Sequence, residues 1–517
     1  MRYVNVNEKI RDGLLCVVCF TLIFNNIPKN IQMNFWGGLI GNKLVLYPLT
    51  IGFIYTAYCQ YKKQNILVYF DIFKKFVLFY IIANMLSLLV GLYIYPYYNL
   101  VLNGPIGQIE KLPRVLKIFE SYGIILDHKF ALGTWMVVRQ IKGVFLETFW
   151  YFGGAYMIFC WYYNNWQKAV RIVTKGVLAG LVVVFAYSTI EIFYLAGNET
   201  AKSLLATITP YFHPIKTTNG WWPPLLWKEQ LRSVFPEPSH IGNYIAISIP
   251  VLWCCYLRKN SKKLLMYSSI LMFLVFLTQS RTAYAMLFGM TGLLFLLLLI
   301  TKRQGLLKQF SLICFAGVIV FAVSIQFIGR IDKDSSITAN NVIENNLTSL
   351  TSSNQRSNGA RYALLKSNLR IAADYPILGV GKGLASAYIV DYYTDGEKQN
   401  GEINMWIKYQ NEKGVFATGY SMGNAMNEYV TRLSQTGILG LSVFLLPFIW
   451  VIVKLFALYR QCENDKQVDI LLILFALISS LIAGCNGSLN IIYGIWILLG
   501  LAFASVCSEK DKLNKCA

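Results

Sequence analysis

The chain has 517 residues, of which 56% are hydrophobic and only 14% are charged. A soluble protein carries about a quarter charged residues, so this composition excludes an ordinary soluble domain and indicates an integral membrane protein. The formal net charge of +21 is typical of a membrane protein with basic cytoplasmic connections, and no nucleic-acid partner is expected.

Apolar segments of about twenty residues predict about twelve membrane-spanning helices. In chain order they are residues 14–26, 44–61, 76–95, 147–166, 176–196, 241–257, 264–278, 283–300, 310–328, 437–458, 470–483 and 489–506. We therefore expect an all-α, polytopic membrane protein whose residues 1–517 form one integral-membrane domain.

Basic residues mark every second connection between the predicted spans, as at Lys62-Lys63, Arg258–Lys263 and Lys302-Arg303. Because cytoplasmic connections carry an excess of Lys and Arg, both termini are expected in the cytoplasm. The remaining connections are then external, and the longest of them, residues 330–429, is a large external loop between spans nine and ten.

Ionisable residues cluster where the second external loop enters the sixth predicted span. Arg232, Glu237 and His240 lie within residues 231–242, and Glu237 stands between two prolines that stiffen the backbone. Ionisable groups at a membrane rim are candidates for function. A helix-start signal with a solvated Glu237 is the alternative.

Arg281 occupies a short external turn between spans seven and eight. The distribution of basic residues in membrane proteins disfavours an arginine there, so it needs another explanation. One explanation is a fixed guanidinium that binds phosphate through two hydrogen bonds, and the other is snorkelling towards lipid phosphate.

The long external loop shows helical spacing over residues 361–373, and Tyr375-Pro376 ends the helix. Gly379, Gly381 and Gly383 follow at alternate positions. They do not follow a predicted strand, so a dinucleotide-binding turn is a poor interpretation. A tight turn whose amides approach an anion and a plain loop both remain open.

Few residues have the spacing of metal ligands. Asp332-Lys333-Asp334 resembles a metal-binding pattern, but a solvated start of the loop explains it better. We therefore expect neither a metal nor a cofactor. Glu191, near the outer end of the fifth span, is either a site residue or the partner of a neighbouring cation.

Four elements, in this order, resemble those of the O-antigen polymerase and O-antigen ligase superfamily of bacterial membrane glycosyltransferases. They are Phe235–Ser239, Ser280–Ala283, Arg361 with Tyr375–Gly381, and Asn427-Glu428-Tyr429 with Gly437–Gly440. One departure matters, because the ligases have a histidine just before the asparagine of the last element and this chain has Met426. A thioether cannot accept a proton, which favours a polymerase over a ligase and leaves the general base open.

The resemblance implies polymerisation of undecaprenyl-diphosphate-linked repeat units into surface polysaccharide, at the outer face of the bacterial cytoplasmic (inner) membrane. An acceptor hydroxyl would attack the anomeric carbon of the donor, with lipid diphosphate as the leaving group. Ligase-type transfer of the glycan to lipid A core, another lipid or a protein is one alternative. A polysaccharide flippase or transporter is another. Besides the lipid-linked glycan and membrane lipid, a chain-length regulator protein is a candidate partner.

The expected site combines the residues named above. We expect Arg232, Arg281 and Arg361 to bind the diphosphate, where positive charge would stabilise the leaving group. Glu237 is the first candidate for the general base and His240 the second. The residues expected to position the substrate are Asn427, Glu428, Gly379 and Gly381.

Overall fold

The computed structural model describes residues 2–29, 31–33, 41–64, 67–213, 230–331, 356–417 and 425–516. Within these ranges the regular secondary structure is helical, without strands. The α-helices, in chain order, are α1 (Arg2–Phe20), α2 (Leu46–Tyr61), α3 (Asp71–Ile94), α4 (Tyr98–Leu102), α5 (Leu112–Ser121), α6 (His128–Glu147), α7 (Gly154–Tyr162), α8 (Trp166–Leu195), α9 (Glu199–Phe212), α10 (Pro238–Lys259), α11 (Lys262–Leu277), α12 (Arg281–Ile300), α13 (Gln304–Ile331), α14 (Arg356–Asp374), α15 (Ala385–Asp391), α16 (Asp395–Lys398), α17 (Gly401–Lys413), α18 (Glu428–Gln461), α19 (Asn464–Ala483) and α20 (Gly494–Cys516). A π-helical turn, Thr148–Gly153, joins α6 to α7.

The predicted all-α, polytopic class is confirmed. Seven helical segments among the described residues are long and apolar enough to cross a membrane, and Gly494–Glu509 is a shorter apolar helix. The seven segments are α3, α8, α10, α12, α13, α18 and the segment Asp465–Asn486, which contains most of α19. The remaining predicted spans lie on helices that are shorter, more polar or interrupted, so the number of twelve stays a prediction.

Helix α10 is the centre of the bundle. It packs against α19, α12 and α11. In its most apolar stretch, 89% of the residues are buried. Its ends are encoded locally: Pro238 at the first position fixes a helical φ, while Arg258 and Lys259 in the last turn face the negative end of the helix dipole. Asn260, directly after the helix, has a left-handed backbone conformation with φ 46°.

Residues 96–146, which join two predicted spans, and residues 356–417 of the long external loop are mostly helical and pack on each other. Helices α4–α6 and α14–α17 share a second hydrophobic core, separate from that of the bundle, in which Leu132, Ile371 and Tyr388 are buried. We call these seven helices the loop unit. The helix predicted over residues 361–373 is confirmed as part of α14.

Helix α18 is interrupted at Gly437, where φ is 63° and ψ is −171°. Residues 376–381 supply hydrogen-bonding partners for the backbone groups at this break. The amides of Val380 and Gly381 donate to the carbonyl oxygens of Ser434 and Gln435, each at 3.0 Å. The amides of residues 438 and 439 donate in turn to the carbonyl oxygens of residues 376 and 377, at 2.8 and 3.2 Å. The loop unit is thereby joined to the bundle through the backbone.

Candidate functional site

Two helix starts meet at the loop-side end of the bundle. Helix α10 begins at Pro238 and α12 begins at Arg281. The two helices come into contact within about one turn of these first residues. A Cβ at Gly242 would lie 3.0 Å from the Cα of Ala283, so the backbones are in close contact there. Two helix N-termini side by side concentrate partial positive charge, which favours an anion.

Arg281 and Arg361, which we call the arginine pair, lie at this point. The Nη1 of Arg281 donates a hydrogen bond of 2.6 Å to the Oδ1 of Asn358, which lies on α14 just before Arg361. Arg361 is exposed, and its charge repels that of Arg281 across a short distance. Two guanidinium groups held together in this way can bind one phosphate or diphosphate with planar, charge-assisted hydrogen bonds.

Glu237 and His240 lie at the start of α10. Glu237 is the residue immediately before α10, its carboxylate is exposed, and it accepts a hydrogen bond of 3.4 Å from the Ser239 hydroxyl. The carboxylate interacts electrostatically with the His240 ring, whose Nδ1 is buried and has no hydrogen-bond partner among the described residues.

Arg232 is not part of the arginine pair. It is 4% exposed and interacts with the buried Glu191, whose Oε2 accepts a hydrogen bond of 2.7 Å from the amide of Ser233. The carbonyl oxygen of Ser233 lies 3.0 Å from the Nε2 of His213. Burial, with Arg232 nearby, holds the pKa of His213 well below its usual value, so His213 is neutral. Arg232 thus interacts electrostatically with Glu191, and the expected binding of the diphosphate by Arg232 stays a prediction.

A second group of charges is buried between the bundle and the loop unit. Its members are Tyr80, Glu147, Lys382, Glu428 and Arg432, which we call the central charged cluster. Arg432 donates to the carboxylates of Glu147 and Glu428, at 2.6 Å in each case. Lys382 donates to the other oxygen of Glu147, and the Tyr80 hydroxyl accepts from both cations at 3.2 Å. Two acids and two bases balance, so the cluster is neutral overall.

The central charged cluster ties three parts of the chain together. Lys382 lies between α14 and α15, Glu147 ends α6 just before the π-helical turn, and Arg432 lies on α18. Burial opposes the charged form of Lys382, but the carboxylate of Glu147 raises the pKa of Lys382 above its usual value, so it stays charged. The Arg432 guanidinium also lies 3.7 Å from the ring centroid of Phe444, a cation–π contact.

Of the central charged cluster, sequence reasoning gave a role only to Glu428. Glu147 was interpreted only as the start of a span, and Lys382 was passed over between two glycines. One local signal was available: Glu428 and Arg432 are four residues apart, the spacing at which opposite charges meet on a helix. The pairs with Glu147 had no such signal, because they join residues 235 and 285 positions apart.

The glycines expected to position substrate hold the backbone instead. The amide of Gly379 donates to the carbonyl of Tyr375 at 3.1 Å, and that of Gly381 donates to Gln435 at 3.0 Å. These amides are therefore directed at the protein and do not form the anion-binding turn that we had considered. Gly379 has φ +66°, and a Cβ there would lie 2.4 Å from the carbonyl carbon of Gln435, so the close approach requires glycine.

Asn427 and Glu428 are also occupied by structural contacts. Asn427 caps α18: its Oδ1 accepts from the amides of Tyr429 and Val430 at 3.0 and 3.1 Å, and its Nδ2 donates to Cys485. The second oxygen of Glu428 accepts from the amide of Leu489 at 3.1 Å. Both residues therefore fix the start of α18 beside the turn after α19, and their role in positioning the substrate stays a prediction.

Lys43 is a further cation that sequence reasoning missed. Its Nζ donates to the carbonyl oxygen of Asn490 at 2.8 Å, next to the turn that receives Asn427 and Glu428. Burial lowers the pKa of Lys43 to about 8, although the nearby Glu147 acts in the opposite direction. The loop-side end of the bundle is thus lined by several basic groups at different depths.

Comparison with known proteins gives one match. Residues 264–445 match a family model described as O-antigen ligase. This segment contains the arginine pair, Lys382 and Arg432, whereas Glu147, Glu237 and His240 lie before it. No curated protein matches the chain.

Proposed function

From the match of residues 264–445 to the O-antigen ligase family model, we propose that this chain is a member of the O-antigen polymerase and O-antigen ligase superfamily and polymerises lipid-linked oligosaccharide repeat units into a surface polysaccharide. The observation that carries the proposal is the arginine pair at the two helix starts. A donor linked to lipid diphosphate is anionic and arrives within the bilayer. Its site therefore needs fixed positive charge at the end of a membrane bundle, and Arg281 and Arg361 supply it.

The reaction we propose is one displacement at the anomeric carbon of the donor sugar. The acceptor hydroxyl oxygen forms a bond to that carbon as the bond from carbon to the diphosphate oxygen breaks. The hydroxyl proton passes to the carboxylate of Glu237, and the electron pair of the broken bond leaves with the lipid diphosphate. Arg281 and Arg361 stabilise the charge that develops on the leaving group, a role in which metal-independent enzymes use guanidinium groups.

Met426 favours a polymerase over a ligase within the superfamily. Its side chain is exposed at the position where ligases have a histidine, and a thioether cannot act as a base. Transfer of the glycan to lipid A core, another lipid or a protein remains the alternative. The flippase interpretation loses its support, because the matched family is one of transferases.

We further propose an orientation for the chain in the bacterial inner membrane. Arg258, Lys259 and Lys302 lie at one end of the helices α10 and α12, opposite to the arginine pair. This arrangement supports a cytoplasmic position for the basic ends and for both termini, with the loop unit outside. The donor would be an undecaprenyl-diphosphate-linked glycan, and a chain-length regulator protein is the partner we propose.

Loss of this chain should shorten the surface polysaccharide to a single repeat unit. The physical reason is that repeat units would still be made and attached, but no longer joined. Gel electrophoresis of surface glycan from a deletion strain measures the length, and complementation with the wild-type chain is the control. A complete loss of glycan from the surface would contradict the polymerase and favour the ligase alternative.

Glu237→Gln should abolish turnover in vitro, whereas Ser239→Ala should retain most of it. Glutamine keeps the size and hydrogen bonding of glutamate but cannot accept the proton, and a lost general base costs about 10²- to 10⁴-fold in rate. The measurement is the rate of polymerisation by purified enzyme with lipid-linked repeat unit. If Glu237→Gln is active while His240→Ala is inactive, His240 is the base; activity in both places the base elsewhere.

A further inference from the structure

An apolar slot opens between the four helices α10–α13. Its volume is about 230 Å³. Its wall is formed by apolar and aromatic side chains, with one hydroxyl from Thr291: Trp253, Met272, Phe276, Leu287, Phe288, Thr291, Ile313, Cys314, Gly317, Val318 and Phe321. Trp253, Met272 and Phe276 are buried, whereas Phe288 and Val318 are 44% and 68% exposed. The slot therefore has a closed inner wall and an open side that faces the surroundings of the bundle.

The slot lies directly below the arginine pair. Phe288 follows Arg281 by two helical turns on the same face of α12, about 10 Å along the axis. Phe276 reaches the slot from the last turn of α11, next to the start of α12. Thr291 lies about 15 Å below Arg281, so the slot extends in the direction of the helix axes rather than across the bundle.

This shape suits a hydrocarbon chain attached to an anionic group. When the diphosphate of a lipid binds Arg281, the hydrocarbon chain of that lipid must enter the bilayer at the depth of Arg281. Bilayer and slot are equally apolar, so a chain gains from entering only through better packing contacts. A rigid, aromatic-lined slot gives those contacts to a methyl-branched, unsaturated chain whose shape it matches.

We propose that this slot holds the first part of the polyprenyl chain of the donor lipid. The inference rests on the proposed function, since it takes the arginine pair as the binding site of the donor diphosphate. It adds a selectivity for the lipid carrier that lies outside the sugar-binding part of the site. Donors with a full-length polyprenyl chain should therefore bind better than donors with the same headgroup and a short prenyl chain.

The test is a substitution that places one larger side chain inside the slot. A Cβ at Gly317 would lie 3.5 Å from the Sδ of Met272, an ordinary contact, so Gly317→Leu adds bulk inside the slot without a backbone clash. Gly289→Leu is the matched control, because Gly289 lies on the neighbouring α12 with no atom within 4 Å of its Cβ position. Both changes replace a helical glycine and act similarly on helix propensity.

KM is measured for purified full-length enzyme in nanodiscs, with a long polyprenyl donor and a short prenyl donor that share one headgroup. Gly317→Leu should raise KM for the long donor about tenfold and leave the short donor unchanged, whereas Gly289→Leu should change neither. Equal effects on both donors, or none, would overturn the inference and leave the proposed function standing. A change in KM that follows the phospholipid composition of the nanodisc instead would assign the slot to a bulk acyl chain. If the wild-type enzyme transfers neither donor, the proposed function itself fails.

Discussion

Arg281→Lys and Arg361→Lys should each lose most of the polymer while the protein stays at its normal level in the membrane. Lysine keeps the charge but not the planar fork that binds two phosphate oxygens at once. Loss of one such contact with developing charge costs about 10²- to 10³-fold in rate. The polymer is measured by gel electrophoresis of surface glycan, and the protein by immunoblot of the membrane fraction.

Arg370→Lys is the matched control for the arginine pair. Arg370 lies on the same helix as Arg361 and also makes two parallel hydrogen bonds, to Glu397 at 2.7 and 3.0 Å, but within the loop unit. The Glu397 carboxylate raises the pKa of Arg370, and a lysine there can keep an ion pair with it. We expect Arg370→Lys to make polymer of normal length. Full-length polymer from Arg281→Lys and Arg361→Lys would instead assign those two residues to topology and lipid snorkelling.

Glu147→Gln should strongly destabilise the protein, and Lys382→Met should do so to a smaller extent. Removing the carboxylate leaves Lys382 and Arg432 buried with only Glu428 as a counter-charge, and breaking a buried ion pair costs about 3–5 kcal/mol. In Lys382→Met, Glu147 still keeps Arg432 as its partner. The midpoint of thermal unfolding, followed by size-exclusion chromatography of detergent-solubilised protein, measures both.

The double variant Glu147→Gln with Lys382→Met is the informative comparison. It removes one acid and one base together, so the remaining Arg432 and Glu428 balance, and it should be more stable than the Glu147→Gln variant alone. The exposed pair Lys75–Asp71 provides the control, and Lys75→Met should not shift the midpoint measurably. A double variant that loses the sum of the two single effects would show that the four charges do not act as one group.

Local patterns in the sequence predicted the parts of the fold that depend on a single segment. The apolar segments were found because a membrane helix needs about twenty apolar residues in a row. The helix after Arg361 was found from its spacing and from Tyr375-Pro376. The helices of residues 96–146 were missed because their apolar faces are buried against α14–α17, more than two hundred residues later in the chain. No local sequence pattern identifies a packing partner that is so distant in the chain.

The candidate site was predicted unevenly for the same reason. Arg281 was identified because an arginine is unexpected in a short external turn, and Arg361 was identified from the family resemblance; the structure brings the two together. Arg232 was identified as one of several ionisable residues at the membrane rim, but Glu191, with which it interacts, lies on another helix and could not be recognised from spacing. For the glycines 379 and 381, an anion-binding tight turn and a plain loop were both left open. Their contacts with α18 required knowledge of the break at Gly437.

The break in α18 also constrains how this protein assembles in the membrane. A spanning helix normally satisfies its own backbone groups, because lipid offers no hydrogen-bonding partners. Here two carbonyls and two amides around Gly437 obtain their partners from residues 376–381 instead. The tenth span is therefore complete only after a segment made earlier in synthesis has docked onto it from the side. Any movement of residues 376–381 away from α18 would break these four hydrogen bonds, which favours a route for substrates to the arginines that leaves them intact.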